Sequence, residues 1–203
     1  MMIITTGLIT PAMAAEDDVP ETYSNAYVVM DAKTGQVLLQ KNMYEKEYPA
    51  SITKILTTAL GLTYAKPEDR ITISQETVSD VWKWGETTHL ALEPGEIITL
   101  KDALYGAMVE SANDCANAIA QAVSGSLTDF AELMNQQVAA LGLSDTHFTN
   151  AHGLPDKDHY TTAYDMARIT RWAMTVPGFE EYFCATEYTI PKTNKKDVAR
   201  NIG

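Results

Sequence analysis

The chain has 203 residues, a formal net charge of −12 and an isoelectric point of about 4.6. Hydrophobic residues make up 45% of it and charged residues 21%, as in an ordinary globular domain that can bury a sizeable core. The excess of acidic residues argues against a nucleic-acid partner, because a phosphate backbone binds a basic face.

The first residues differ from the rest in composition. Residues 1–14 hold an apolar stretch that ends in Ala12-Met13-Ala14, the A-x-A pattern of a signal-peptide cleavage site. The basic residues that open such a peptide are missing, so we expect a partial signal peptide on an exported protein. A disordered apolar tail is the alternative. No later run reaches the roughly 18 apolar residues that a membrane span needs.

The next segment predicts a β-hairpin and then a helix. Apolar residues at 27–29 and 37–39 flank a turn that ends in Gly35, which is typical of a hairpin. From Ser51 to Tyr64 the apolar residues recur at helical spacing. The apolar face of this helix predicts a central position in the core.

The remainder is mainly helical, with one short strand at residues 69–74. Four further helices are predicted, over residues 100–110, 114–125, 127–142 and 161–175. Thr99 with Asp102, and Thr162 with Asp165, are candidate capping pairs at two of their starts. Five helices and three strands predict a domain with an unusually small sheet.

The cysteines and histidines indicate neither a disulfide framework nor a metal site. Cys115 lies in an alanine-rich helical segment and is predicted to be a core residue; a bridge to Cys184 is possible but not indicated. The four histidines lack the spacing of metal ligands, and we expect no cofactor. His152 and His159 are interpreted as turn residues of a loop rich in Gly, Pro and Asp.

The segment "PASITKILTTAL", residues 49–60, places Ser51 three residues before Lys54. Residues three apart share a helix face, so the lysine is expected beside the serine and deeper in the core. Burial lowers the pKa of a lysine, and a neutral amine can take the proton of a serine hydroxyl. The alternative is a serine that only caps the helix, because one Ser-x-x-Lys match is not rare in this composition.

A second polar motif, Ser111-Ala112-Asn113, separates two predicted helices. In serine acylation Ser111 can pass a proton to the leaving amine, and Asn113 offers a donor and an acceptor to a peptide bond. The alternative is a Ser/Asn turn that only breaks the helix.

The two motifs occur in the order of the S-x-x-K, S-D-N and K-T-G signature of penicillin-binding proteins and serine β-lactamases. The chain resembles one branch, the low-molecular-weight D-alanyl-D-alanine carboxypeptidases of peptidase family S11. The resemblance runs from about residue 25 to the end. It is carried by "AYVVMDAKTGQVLLQKN", "YPASITKILTTAL", "LEPGEIITLKDALYGAMVESANDCANAIA", "TNAHGLPDKDHYTTAYDMARI" and "YFCATEYTIPKTN".

The resemblance implies an α+β fold of the β-lactamase/DD-peptidase type, an antiparallel sheet packed against helices. The family's K-T-G motif follows the S-x-N loop on a strand. Here Lys33-Thr34-Gly35 precedes Ser51 and suits the hairpin turn, and Lys192-Thr193 is followed by Asn194. We therefore expect residues 15–203 to be the N-terminal portion of a DD-peptidase domain. The sheet would be incomplete, the C-terminal membrane anchor absent, and the fragment alone inactive.

By the same resemblance, Ser51 is the nucleophile, Lys54 its base, Ser111 a proton relay and Asn113 the clamp on the substrate amide. The implied substrate is a peptidoglycan stem peptide ending in D-Ala-D-Ala, and β-lactams are implied inhibitors. A β-lactamase of the same fold is one alternative. Its E-x-x-L-N loop is not found, since in "ELMN", residues 132–135, the Asn comes one residue too early. A catalytically dead cell-wall-binding protein is the other.

Overall fold

The computed structural model describes residues 22–203. The predicted signal peptide at residues 1–14 lies outside the described residues. The strands are β1 Tyr27–Met30, β2 Val37–Lys41, β3 Arg70–Thr72, β4 Ile97–Thr99, β5 Tyr188–Ile190 and β6 Arg200–Ile202. The helices are α1 Thr53–Tyr64, α2 Gln75–Trp82, α3 Leu100–Val109, α4 Asn113–Ser124, α5 Leu127–Ala140, α6 Ala163–Ala173 and α7 Phe179–Phe183. A 3₁₀ turn, Ala50–Ile52, precedes α1.

The strands of the described region pair in sequence order as three separate two-stranded antiparallel sheets, β1 with β2, β3 with β4, and β5 with β6. The predicted hairpin is confirmed, with Tyr27 opposite Lys41 and a register shift between Val29 and Met30. The α+β class is also confirmed. The helices form the bulk of the domain, and β3, β4, β5 and β6 each add one isoleucine to its core.

The core forms where α1 packs on α3, α4 and α6. Leu56 and Leu60 of α1 are fully buried there. A Cβ atom at Gly61 would lie 2.9 Å from Cγ2 of Ile119, and one at Gly106 would lie 2.4 Å from Sγ of Cys115. Because no side chain fits at these two positions, the glycines let α1 and α3 approach α4 closely. The predicted central position of α1 is confirmed.

Capping residues define the helix starts as predicted. The Thr99 side chain accepts the Asp102 backbone N–H, and the Asp102 carboxylate accepts the Thr99 backbone N–H, which completes a capping box. Thr162 likewise accepts the Asp165 N–H at the start of α6. Such caps satisfy backbone donors that the first helical turn leaves free.

Five elements were not predicted: α2, α7, β4, β5 and β6. The helix α2 is mainly polar, and only Val78 and Val81 of its apolar residues are fully buried, so the periodic signal is weak. The three missed strands have three residues each, too few for an alternating pattern to emerge. The C-terminal strand β6 pairs with β5.

Two further sequence expectations concern the cysteines and membrane spans. Cys115 is fully buried, as predicted, whereas Cys184 is exposed and both are free thiols, so the bridge that we left open is not formed. Within residues 22–203, no helix combines the length and the apolar composition that crossing a bilayer requires.

Candidate active site

Ser51 lies in the 3₁₀ turn that leads into α1, and its side chain is exposed. The sequence predicted that the helix would begin at Ser51; it begins two residues later, at Thr53. The preceding Ala50 has a φ of 47°, which lies in the left-handed region. Extended into α1, this turn places the Ser51 hydroxyl directly over the Lys54 side chain.

Lys54 is only 2% exposed, and its amine lies among three oxygen atoms. The Nζ atom is 3.1 Å from Oγ of Ser51, 3.4 Å from Oγ of Ser111 and 2.8 Å from the carbonyl oxygen of His152. A lysine ammonium has three donors, and each finds an acceptor here. The predicted juxtaposition of Ser51 and Lys54 is therefore present.

Ser111 occupies the sharp connection between α3 and α4 with a φ of 57°. Its hydroxyl donates to Oγ of Ser51 at 2.9 Å, so the two motifs meet although sixty residues separate them in the chain. Two backbone bonds hold the connection, from the Ala112 N–H to the Gly106 carbonyl and from the Asn113 N–H to the Thr88 carbonyl. These bonds fix the backbone of the connection that places Ser111 at Ser51.

Asn113 is buried and lines the same cavity as Ser51, a cavity of about 300 Å³. The next residue, Asp114, was not singled out from the sequence. Its fully buried carboxylate accepts the backbone N–H groups of Leu90 and Leu92 at 3.0 Å, and so holds the segment that follows residues 86–88 of the cavity lining. An acidic side chain within the first turn of a helix was the only sequence signal for it.

Burial lowers the pKa of Lys54 from its ordinary 10.5 to about 8, because desolvation disfavours the ammonium form. A buried Cys115 thiol is the other titratable group that acts on it. With a pKa near 8, about one-tenth of the Lys54 side chains are neutral at pH 7. A neutral amine hydrogen-bonded to a hydroxyl can act as a general base.

His152 and His159, interpreted from the sequence as turn residues, also pack into the protein interior. Both lie in the predicted loop, but both are almost fully buried against α1 or α2. Nε2 of His159 lies 3.0 Å from Oγ1 of Thr53, and Thr57 donates to the Ala151 carbonyl at 2.7 Å. The loop therefore binds the polar side chains of α1 on both sides of Lys54. The His, Asn and Gly residues within positions 150–153 were the sequence signal that could have indicated a functional role for this loop.

The out-of-order Lys33-Thr34-Gly35 lies in the turn between β1 and β2, as predicted. Gly35 has a φ of 76°, and Arg171 of α6 donates to the carbonyl oxygens of Ala32 and Lys33. These residues therefore have a structural role in docking the hairpin onto α6. Asn135, the near match to a β-lactamase loop, exchanges two hydrogen bonds with the backbone of Phe148.

The chain is similar in sequence and in fold to known proteins. The sequence profile of the D-alanyl-D-alanine carboxypeptidases, peptidase family S11, matches residues 12–202. The chain is 34% identical over 197 residues to the D-alanyl-D-alanine carboxypeptidase DacF of Bacillus subtilis, covering 92% of this chain and 49% of that protein. It is 36% identical over 170 residues to DacC of Escherichia coli, covering 78% of this chain and 42% of that protein.

Solved structures show the same fold. The crystal structure of penicillin-binding protein 6B from Escherichia coli superposes with a TM-score of 0.80 at 27% identity, covering 93% of this chain and 62% of that one. A variant of the Streptomyces K15 DD-transpeptidase gives a TM-score of 0.82 at 26% identity, covering 91% and 74%. The chain spans about half the length of the two carboxypeptidases above. On the profile match and these relatives, the chain belongs to the D-alanyl-D-alanine carboxypeptidase family, peptidase family S11.

Proposed function

We propose that this protein is a serine-type carboxypeptidase that removes the terminal D-alanine from peptidoglycan stem peptides through an acyl-enzyme on Ser51. One observation carries the proposal: a buried amine, that of Lys54, lies within hydrogen-bond reach of both the Ser51 and the Ser111 hydroxyls. Family membership supplies the reaction class and the substrate.

In the proposed reaction the neutral Lys54 amine takes the proton of the Ser51 hydroxyl. The Ser51 oxygen attacks the carbonyl carbon between the last two D-alanines, and the Ser51 backbone N–H is one donor to the resulting oxyanion. The proton passes from Lys54 through the Ser111 hydroxyl to the departing amine of D-alanine. The 3.4 Å contact between Nζ of Lys54 and Oγ of Ser111 supports this route.

Asn113 would hold the substrate amide, since its side chain lines the cavity that opens at Ser51. Neutral Lys54 then takes a proton from a water molecule that attacks the acyl-enzyme carbonyl, and it passes that proton to the departing Ser51 oxygen, which releases the shortened peptide and restores both groups. β-Lactams would acylate Ser51 in the same way and leave slowly. Because stem peptides lie outside the cytoplasmic membrane, we propose an exported protein that acts at the outer face of that membrane in peptidoglycan maturation and cell shape.

The test uses the full-length gene product and its Ser51→Ala variant. We expect a fluorescent penicillin to label the protein covalently, and D-alanine to be released from an acylated peptide ending in D-Ala-D-Ala. The Ser51→Ala variant should do neither while keeping the melting temperature of the parent. Rapid turnover of the penicillin would identify a β-lactamase. Binding of the peptide with no D-alanine release would identify a dead cell-wall-binding protein.

A further inference from the structure

The imidazole ring of His152 is held at both nitrogens. Nδ1 accepts the backbone N–H of Leu154 at 3.0 Å, so the ring proton resides on Nε2. Nε2 lies 3.0 Å from Oδ2 of Asp80 and donates to it. With one nitrogen accepting and the other donating, the ring is a neutral imidazole of a single tautomer.

Asp80 contacts this ring from helix α2, and two further side chains bind its carboxylate. Asn117 of α4 donates its side-chain amide to the same Oδ2 atom at 3.0 Å, and Lys83 of α2 pairs with the other oxygen. The His152 bond is the leading cause that holds the pKa of Asp80 well below its usual range. Burial lowers the pKa of His152, so the pair remains carboxylate and neutral imidazole at physiological pH.

The backbone of the same histidine contacts the Lys54 amine. The His152 carbonyl accepts from Nζ at 2.8 Å, which is the shortest of the three contacts of that amine. The two serine contacts, at 3.1 and 3.4 Å, belong to groups that would exchange protons during the reaction. The His152 carbonyl does not exchange protons during the reaction, so its hydrogen bond can hold the Lys54 amine in place throughout.

We propose that Asp80 is a positioning residue for the reaction: by holding the His152 ring it fixes the carbonyl that keeps the Lys54 amine between Ser51 and Ser111. This inference rests on the proposed function. Asp80 does not line the cavity at Ser51; it borders a separate cavity together with Lys83 and Asn117. Its effect on catalysis would therefore pass through His152 and Lys54.

The proposal gives a distinctive result for Asp80→Ala. Without the carboxylate the His152 carbonyl is free to turn away, and the Lys54 ammonium loses an acceptor. We expect the plateau rate of acylation by a penicillin to fall about 10- to 100-fold, since misplacing a reacting group by about 1 Å has effects of this size. The midpoint of the pH profile should also move to lower pH, because the protonated amine has lost a stabilising partner.

Two matched variants separate positioning from charge and from folding. Asp80→Asn keeps the shape and an amide oxygen that can accept from His152, and we expect it to retain most of the parent rate. Lys83→Met removes the lysine that pairs with Asp80. The Lys83 side chain is 58% exposed, and we expect a rate within about twofold of the parent. The melting temperature of each variant reports on the fold.

A second measurement is independent of activity. NMR of protein labelled at the lysine side-chain nitrogen gives the pKa of Lys54 directly, and we expect a lower value in Asp80→Ala than in the parent. An unchanged acylation rate and an unchanged Lys54 pKa in Asp80→Ala would overturn the inference, as would equal losses in Asp80→Ala and Asp80→Asn. A parent protein that fails to react with penicillin would instead refute the proposed function and leave the NMR test standing.

Discussion

Gly153 lies directly against the backbone of Ala50. A Cβ atom at Gly153 would sit 1.8 Å from the Ala50 carbonyl oxygen, and the residue has a φ of 90°. Ala50 opens the 3₁₀ turn that carries Ser51, and Gly153 follows the histidine whose carbonyl binds Lys54. The loop that contains His152 and Gly153 therefore packs against the turn that carries the nucleophile, and it also binds the amine of Lys54.

Gly153→Ala should therefore damage both the fold and the site. The added methyl group must displace backbone rather than a flexible side chain, and the positive φ adds strain. We expect a loss of roughly 2–4 kcal/mol in the free energy of unfolding, measured by denaturant titration, together with slower penicillin acylation. Gly125→Ala is the control, because its φ of 79° is similar but no atom lies within 4 Å of the added group. Equal losses in the two variants would show that the contact with Ala50 is unimportant.

Lys54→Arg should abolish acylation of Ser51 while the protein still folds. A guanidinium remains protonated at any relevant pH and cannot take the serine proton. The measurement is covalent labelling by a fluorescent penicillin, with the melting temperature as the check on folding. If the folded variant is still labelled at the parent rate, then Lys54 is not the base.

The acylation rate of the parent protein should depend on pH through Lys54. The pKa of this lysine is lowered to about 8, and the neutral form is the reactive one. The rate should therefore rise with pH, reach half of its plateau near pH 8, and fall about tenfold for each pH unit well below that. Stopped-flow acylation by a chromogenic β-lactam gives the profile. A rate that is constant from pH 6 to pH 9 would be inconsistent with a titrating base.

Glu96, fully buried, forms an ion pair with the partly buried Arg200 that holds β6 on the domain. Glu96 is fully buried, and its Oε1 lies 2.6 Å from Nη2 of Arg200. Arg200→Met leaves the carboxylate without its cation, so we expect a loss of about 3–5 kcal/mol in the free energy of unfolding. Lys157→Met, which removes an exposed pair with Asp158, should change stability by less than about 1 kcal/mol. Similar effects of both substitutions would contradict the role of burial.

Much of the local structure follows from neighbouring residues in the chain. The apolar period of α1, the Thr99 and Thr162 caps, and the turn at Gly35 depend on contacts within a few residues, so their positions were predictable. The proximity of Ser51 and Lys54 belongs to the same class, because a helical backbone brings residues three apart to one side. The short strands β4, β5 and β6 have no such local signal, and they are defined by the hydrogen bonds that their paired strands supply.

The sequence by itself singled out Ser51, Lys54, Ser111 and Asn113 and determined that the first two lie side by side. The tertiary structure decided the rest. It brought Ser111 to Ser51, placed the His152 carbonyl at Lys54 and buried His159 against Thr53. It also set the pKa of Lys54, because desolvation depends on everything that surrounds the amine rather than on its chain neighbours. Hydrogen bonds across 60 to 106 residues are set by the packing of the whole core, and no short segment carries that information.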